Sequence, residues 1–296
     1  MAQWGSLSRA IQLVVCSHLD MRALMPLRQT SKGNLDLVGW ELRQRLERLV
    51  GDYVPDASEF LTVLTARSCY VGGEVALRFM LRSATFKPSH LDIFVSPQHY
   101  LAIESHLVDD QGAIERSHAT ADGTNTRDLE DRGQFGMSWL ETPIGKVVLH
   151  SSCTTDALVP ISRAWCTLEV TYANLDHIGT GYPRLLFAGR GLLGDGVRDE
   201  TRRVQMARRR GLEVRLMPDV WPDLELQGCA RAKWVCPTQP RSMVDEGAMC
   251  VRLFPLQTRR VEASNTWRMD TRPCGGPCLH DQSPWGLGSH EKFIAG

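Results

Sequence analysis

Three groups of residues in this 296-residue chain are of a type and spacing to do chemistry. The first is Asp92, set among the strand-forming side chains Leu91, Ile93, Phe94 and Val95, some twenty residues after the pair Gly72-Gly73. A carboxylate among apolar neighbours needs a partner, a proton or a cation, and its setting predicts a position at or near a sheet's edge. Gly72 and Gly73 lead into an apolar stretch, where the free N–H groups and dipole of a helix N-terminus favour an anion. The same glycines equally serve close packing of strand against helix. The second group is Cys229, Cys236, Cys250, Cys274, Cys278 and His280. Zinc takes four nitrogen or sulfur ligands in a tetrahedron, and this set could supply them. No Cys-x-x-Cys pair occurs, the tightest spacing being Cys274-x-x-x-Cys278, and buried free thiols are the alternative reading. The third group is the basic cluster Arg202, Arg203, Arg208, Arg209 and Arg210. It could meet phosphates, but Asp199 and Glu200 adjoin it and no aromatic platform is interleaved, so it reads as a solvated helix face.

The elements that must position these groups follow from periodicity. Apolar residues at helical spacing fill residues 7–50, with Ile11, Val14, Val15 and Leu19 on one face and a capping Thr30-Ser31 before Leu35–Val50. Ala57–Ala66 is a further helix, leading through a short apolar run to the Gly-Gly turn. Val75, Leu77, Phe79, Met80 and Leu81 make a helix too apolar to be exposed, Pro88 excludes its continuation, and the Asp92 strand follows. Pro97–Val108 reads as a helix. Residues 109–134 are polar and glycine-containing, which predicts a mobile loop. Phe135–Leu140 and Lys146–His150 flank a turn-rich connector as a hairpin. Trp165–Leu175 and Asp199–Arg210 read as helices, and the residues from Asp281 as loose. The fold class expected is α+β, a small mixed sheet with flanking helices preceded by a helical module. The divisions are a helical module at 1–54, the sheet domain at 55–215 and a cysteine-containing extension at 216–296.

Gly72-Gly73-x-Val, the apolar helix after it, and Pro88-Ser89-His90-Leu91-Asp92-Ile93 together resemble the head signature of the nucleotidyltransferase superfamily, especially its tRNA-end-adding and poly(A)-polymerase-like members. In that family the glycines approach a nucleotide's phosphates and an Asp-x-Asp pair with a third carboxylate holds divalent metal. The resemblance makes Gly72, Gly73 and Asp92 the binding positions. It also makes His90 and Val148 the places where the other two carboxylates stood. Oxygen-rich octahedral Mg²⁺ cannot be built on one carboxylate, and His90 favours softer ions. The expectation is therefore a non-catalytic relative that recognises a ligand or partner, a weakly held nucleotide among them. The alternative is an atypical active nucleotidyltransferase in which Glu74 or Glu141 replaces a lost ligand. The stretch from Leu7 to Lys32, with Ser17-His18-Leu19-Asp20 and Thr30-Ser31-Lys32, resembles the F-box, although Ser8 and Ala10 stand where that module has Pro and Glu. That resemblance implies docking of a ubiquitin-ligase adaptor through residues 7–50.

Composition sets outer bounds. Thirty-four basic and thirty-four acidic residues cancel, so no global field draws the chain to nucleic acid, which is not an expected partner. No apolar run reaches the roughly 18 residues of a membrane span, and no secretion signal opens the chain. With no oxidising compartment implied, the nine cysteines are expected to be thiols or metal ligands, and the chain intracellular, cytoplasmic or nuclear.

Overall fold

The computed structural model describes residues 4–120, 126–194, 202–216, 221–223, 234–254, 261, 265–269 and 293–295. The fold is α+β, as expected, but the sheet is large, with eight strands.

Three helices open the chain, α1 (Arg9–His18), α2 (Met21–Gln29) and α3 (Lys32–Val50). Each starts at a residue whose side-chain oxygen accepts from the first turn: Ser8 from the Ile11 N–H, Asp20 from Ala23 and Ser31 from Asn34. Their packing corrects one expectation. Ile11 and Val15, expected in one cluster with Leu19, Leu24 and Leu27, are exposed, as is Val14. The face of α1 carrying Leu13 and Cys16 is the one turned inward. Buried Arg82 donates to the backbone oxygens of Cys16 and Ser17 and forks onto Glu41 of α3 at 2.6 and 2.8 Å, holding α1 in that rotation.

After α4 (Ala57–Ala66), β1 (Tyr70–Gly72) runs into α5 (Gly73–Met80), and β2 (Leu91–Val95) into α6 (Pro97–Asp109). Every residue of β2 is buried. Leu91, Ile93 and Val95 join the core under the helices, while Phe94 joins a second core on the opposite face with Tyr70, Tyr172 and Trp267. A strand apolar on both faces belongs inside a sheet, and β2 lies near the middle, so Asp92 is not at a sheet edge as expected.

Residues 114–134 also depart from the loop expectation, since β3 (Ile114–Thr120) and α7 (Thr126–Asp131) lie there. β3 pairs with β4 (Gln134–Glu141), which forms the expected hairpin with β5 (Lys146–Ser152). Polar composition misled here because β3 is an outer strand with mostly exposed side chains. β5 returns beside β2 in parallel, pairing Asp92 with Val148 and Phe94 with His150.

Beyond the short α8 (Val159–Ser162), the helix expected over 165–175 is instead a 3₁₀ turn at Thr167–Glu169 followed by β6 (Thr171–Ala173). β-branched Thr167, Val170 and Thr171 and aromatic Tyr172 favour this outcome. β7 (His177–Thr180) folds back on β6 through a turn in which the Asn174 side chain accepts from the Asp176 and His177 N–H groups. α9 (Pro183–Leu186), β8 (Arg190–Leu192), α10 (Arg202–Arg209) and β9 (Glu213–Arg215) follow, β8 pairing with β9 in parallel. Residues 199–201 of the expected 199–210 helix lie outside the described residues.

β10 (Arg241–Ser242), β12 (Asn265–Trp267) and β13 (Phe293–Ala295) form a separate small sheet, and the last of these is a paired strand in a stretch expected to be loose. β11 (Met249–Arg252) does not stay with them: it pairs with β7, and the main sheet runs β11-β7-β6-β1-β2-β5-β4-β3. One apolar cluster runs from Cys16 and Leu24 through the sheet to Leu253. Arg28 of α2 donates to the backbone oxygens of Arg252 and Leu253. Among the described residues, no helix is long and apolar enough to cross a membrane.

Candidate functional site

The face of the sheet turned away from α6 carries a cleft of about 1100 Å³. Gly73, Glu74, His90, Asp92, His150 and Glu169 line it. Asp92 reaches it from β2 because side chains alternate along a strand, which puts Asp92 and Phe94 on one face and Ile93 on the other.

Gly72 and Gly73 stand beside this carboxylate, as the sequence predicts, since β1 and β2 pair Gly72 with Asp92. The structure also gives a reason for both glycines. A Cβ on Gly72 would lie 2.4 Å from the Phe94 ring, and one on Gly73 would lie 2.2 Å from Asp92 Oδ2. Gly73 further has φ +55°, a left-handed conformation that a side chain resists. The pair is thus required by close internal packing, while α5 starts at Gly72 with no side chain capping its first N–H groups.

Asp92 is held by two histidines on the same oxygen. His150 Nε2 lies 2.9 Å from Oδ1 and His90 Nε2 lies 3.3 Å from it. An ionised carboxylate only accepts, so both rings donate Nε2–H. Burial opposes charge on Asp92, but the hydrogen bonds from His150 and His90 outweigh it and hold the carboxyl well below the usual range. The bond to Asp92 in turn raises His90 against the effect of its burial. Ser89 Oγ lies 2.9 Å from His90 Nδ1. The His150 ring stacks on Phe94 at 4.5 Å between centroids, and its Nδ1 is buried without a hydrogen-bond partner among the described residues.

His150 is the residue the sequence reading passed over. The resemblance puts Val148 in place of the third carboxylate, and Val148 pairs with Asp92, buried and apolar. The next side chain of β5 on that face is His150, so period-two alternation from Val148 would have found it. Glu169 was also missed, because the segment around it reads as helix. At the end of the 3₁₀ turn its carboxyl is pushed up to about 7 by burial, with the nearby Asp92 charge adding to this and a Trp165 hydrogen bond opposing it.

The acidic groups named as substitutes are otherwise engaged. Glu74 takes a forked pair of bonds from Arg210, one of them 3.0 Å long, and Glu141 pairs with Arg116 at 2.8 Å. Arg210 also lies over the Phe86 ring, 4.5 Å from its centroid, so this member of the basic cluster is a structural cation and not part of a solvated face. Arg202, Arg208 and Arg209 are exposed as expected, and Arg203 lines the cleft with Arg132 and Arg163. The three positions that the resemblance picks out do not make a two-metal nucleotidyl-transfer site: Asp92 Oδ1 already accepts from two imidazoles, His90 is one of those imidazoles, and Val148 offers no oxygen.

Of the proposed zinc ligands, Cys229, Cys274, Cys278 and His280 lie outside the described residues. Cys236 is buried with its Sγ 3.2 Å from Thr238 Oγ1, and Cys250 is an exposed residue of β11. Comparisons of the chain with protein-family models, with curated proteins and with solved structures found no match, so the site stands on its own geometry.

Proposed function

We infer that the chain is a non-catalytic, nucleotidyltransferase-like recognition protein that binds an anionic ligand of the nucleoside-phosphate class in the Asp92 cleft and does not transfer it. The observation that carries this reading is the double engagement of Asp92 Oδ1 by His150 and His90. With Oδ1 taken by two N–H bonds, Asp92 has only Oδ2 to offer a cation, fewer carboxylate oxygens than two bridged metal ions need. Support for an anion comes from Arg132, Arg163 and Arg203 on the cleft walls and from the uncapped start of α5. The test is equilibrium binding of labelled nucleoside triphosphates, with and without Mg²⁺ or Mn²⁺, alongside an incorporation assay. Binding in the presence of chelator, with no incorporation by the native chain or by Asp92→Ala, supports the reading. Metal-dependent incorporation by the native chain that disappears in Asp92→Ala would replace it with the active nucleotidyltransferase.

A second reading concerns the amino-terminal helices and rests on the exposed apolar stripe Ile11, Val14 and Val15 of α1. A contiguous apolar face on an otherwise capped and packed helix marks a docking surface, and its F-box-like sequence points to a ubiquitin-ligase adaptor. Pull-down of that adaptor by the full chain, abolished by Val14→Asp with Val15→Asp, is the expected result. No capture by the native chain leaves the helices as a cap on the sheet.

A further inference from the structure

On the opposite face of the sheet from the Asp92 cleft, α6 and β3 bring together three side chains that could hold a metal: Glu104, Glu115 and His118. One ligand atom from each lies within 4.8 Å of the other two. We propose that Glu104, Glu115 and His118 form a zinc site that ties α6 to the outer strand of the sheet.

Two observations carry it. The first is how β3 presents its ligands. Residues three apart in a regular strand point to opposite faces, yet a β-bulge between Glu115 and Ser117 shifts the register, so that Glu115 stands opposite Leu140 and His118 opposite Ser138. Both partners are inward-facing residues of β4. The extra residue therefore puts Glu115 and His118 on one face, beneath Glu104 of α6.

The second is a hydrogen-bond count at Ser138, which is fully buried under the cluster. Its Oγ lies 2.6 Å from Tyr100 OH, 2.7 Å from His118 Nδ1, 2.9 Å from Glu104 Oε1 and 3.3 Å from Glu115 Oε1. A hydroxyl has one proton to give. If that proton goes to one carboxylate, the other has none; if it goes to His118 or Tyr100, neither carboxylate has one. Glu115 Oε1 lies 3.6 Å from His118 Nδ1, and no Lys or Arg pairs with Glu104 or Glu115 among the described residues. Two carboxylates and one imidazole thus converge on a hydroxyl that can donate to only one of them, whereas a divalent cation takes all three side chains as ligands. The Ser138 hydroxyl, itself 2.6 Å from Tyr100 OH, is placed to orient such a ligand.

The donor set selects the metal. One imidazole with two carboxylates suits zinc better than Mg²⁺ or Ca²⁺, and three protein ligands leave a fourth position for water. Ligands about 2.0–2.2 Å from a tetrahedral ion lie roughly 3.5 Å apart, a contraction that the half-buried Glu104 and the exposed Glu115 and His118 make by side-chain rotation.

The test uses the full chain and Co²⁺ as a spectroscopic substitute for zinc, with calorimetric titration of zinc itself. Cobalt on nitrogen and oxygen ligands gives tetrahedral visible bands without thiolate-to-metal charge transfer, which separates this site from any metal held by the cysteines. The expected result is such a spectrum in the native chain, and its loss in Glu115→Gln with His118→Ala. Both residues are exposed, so circular dichroism should be unchanged. Ser138→Ala should weaken zinc by about 10–100-fold while keeping the band positions. Absence of the thiolate-free bands from the native chain, or their survival in the double variant, would overturn the proposal.

Discussion

At the scale of single residues, Asp92 behaves as an ionised acceptor locked between two imidazoles. That lock has a sign in pH. His90 is raised above its ordinary 6.5, so its contribution to stability is complete below that value and is lost as pH rises through the raised one. Asp92 is lowered below its ordinary 3.8, so its contribution is present above that value and is lost as pH falls through the lowered one. The pair stabilises most between the two, and Asp92→Asn should flatten the fall in the urea midpoint on either side of this window. Glu169 runs the other way. Its raised carboxyl favours the folded state while protonated, so this contribution fades as pH rises from 4.5 to about 7. Glu169→Gln should therefore raise the thermal midpoint at alkaline pH and leave it nearly unchanged well below pH 4.5. Gly73→Ala tests the packing account of the glycines. A methyl 2.2 Å from Asp92 Oδ2 at φ +55° should cost about 1–3 kcal/mol in chemical denaturation.

At the scale of elements, the orientation of α1 depends on a buried ion pair. Arg82 and Glu41 have side chains only 4% and 3% exposed, and Arg82 also bonds the carbonyls that end α1. Removing one partner leaves an uncompensated buried charge, so Arg82→Ala should destabilise by about 3–5 kcal/mol. Replacing both at once, Arg82→Met with Glu41→Leu, should recover much of that loss. A double-mutant cycle by urea denaturation measures both. If the exposed stripe of α1 docks a partner, the single variant should weaken that docking as well, because the stripe faces outward only in the rotation that Arg82 holds.

For the whole molecule, the amino-terminal helices, the sheet and β11 share one apolar cluster. Gly39 of α3 approaches so closely that a Cβ there would lie 2.9 Å from the Leu253 backbone oxygen. Such continuity predicts a single unfolding transition, with far-ultraviolet dichroism and tryptophan fluorescence coinciding. It also predicts that a chain ending before Met249 exposes the open edge of β7 and the underside of α2. That truncation should associate in light scattering at concentrations where the full chain does not.

Local chemistry was enough to read helices over residues 7–50, the Ser31 cap, α4 to α6 and the β4–β5 hairpin. Those features depend on side-chain periodicity and on contacts between neighbouring elements, and both are written into short stretches of chain. Residues 114–120 were not legible, since an exposed outer strand needs only β4 to pair with and carries no apolar pattern of its own. Nor was the helix-like 165–175 segment, whose β-branched residues become β6 only when β1 and β7 flank it. The partners of Asp92 were hidden for the same reason. His150 is 58 residues away, and only the parallel pairing of β2 with β5 puts it against that oxygen. A bulge in β3, invisible in sequence, likewise decides that Glu115 and His118 share a face with Glu104. Residue type supplied the carboxylates and imidazoles. Strand order and register decided which of them meet, because hydrogen bonding and burial between distant segments are resolved only when the whole sheet closes.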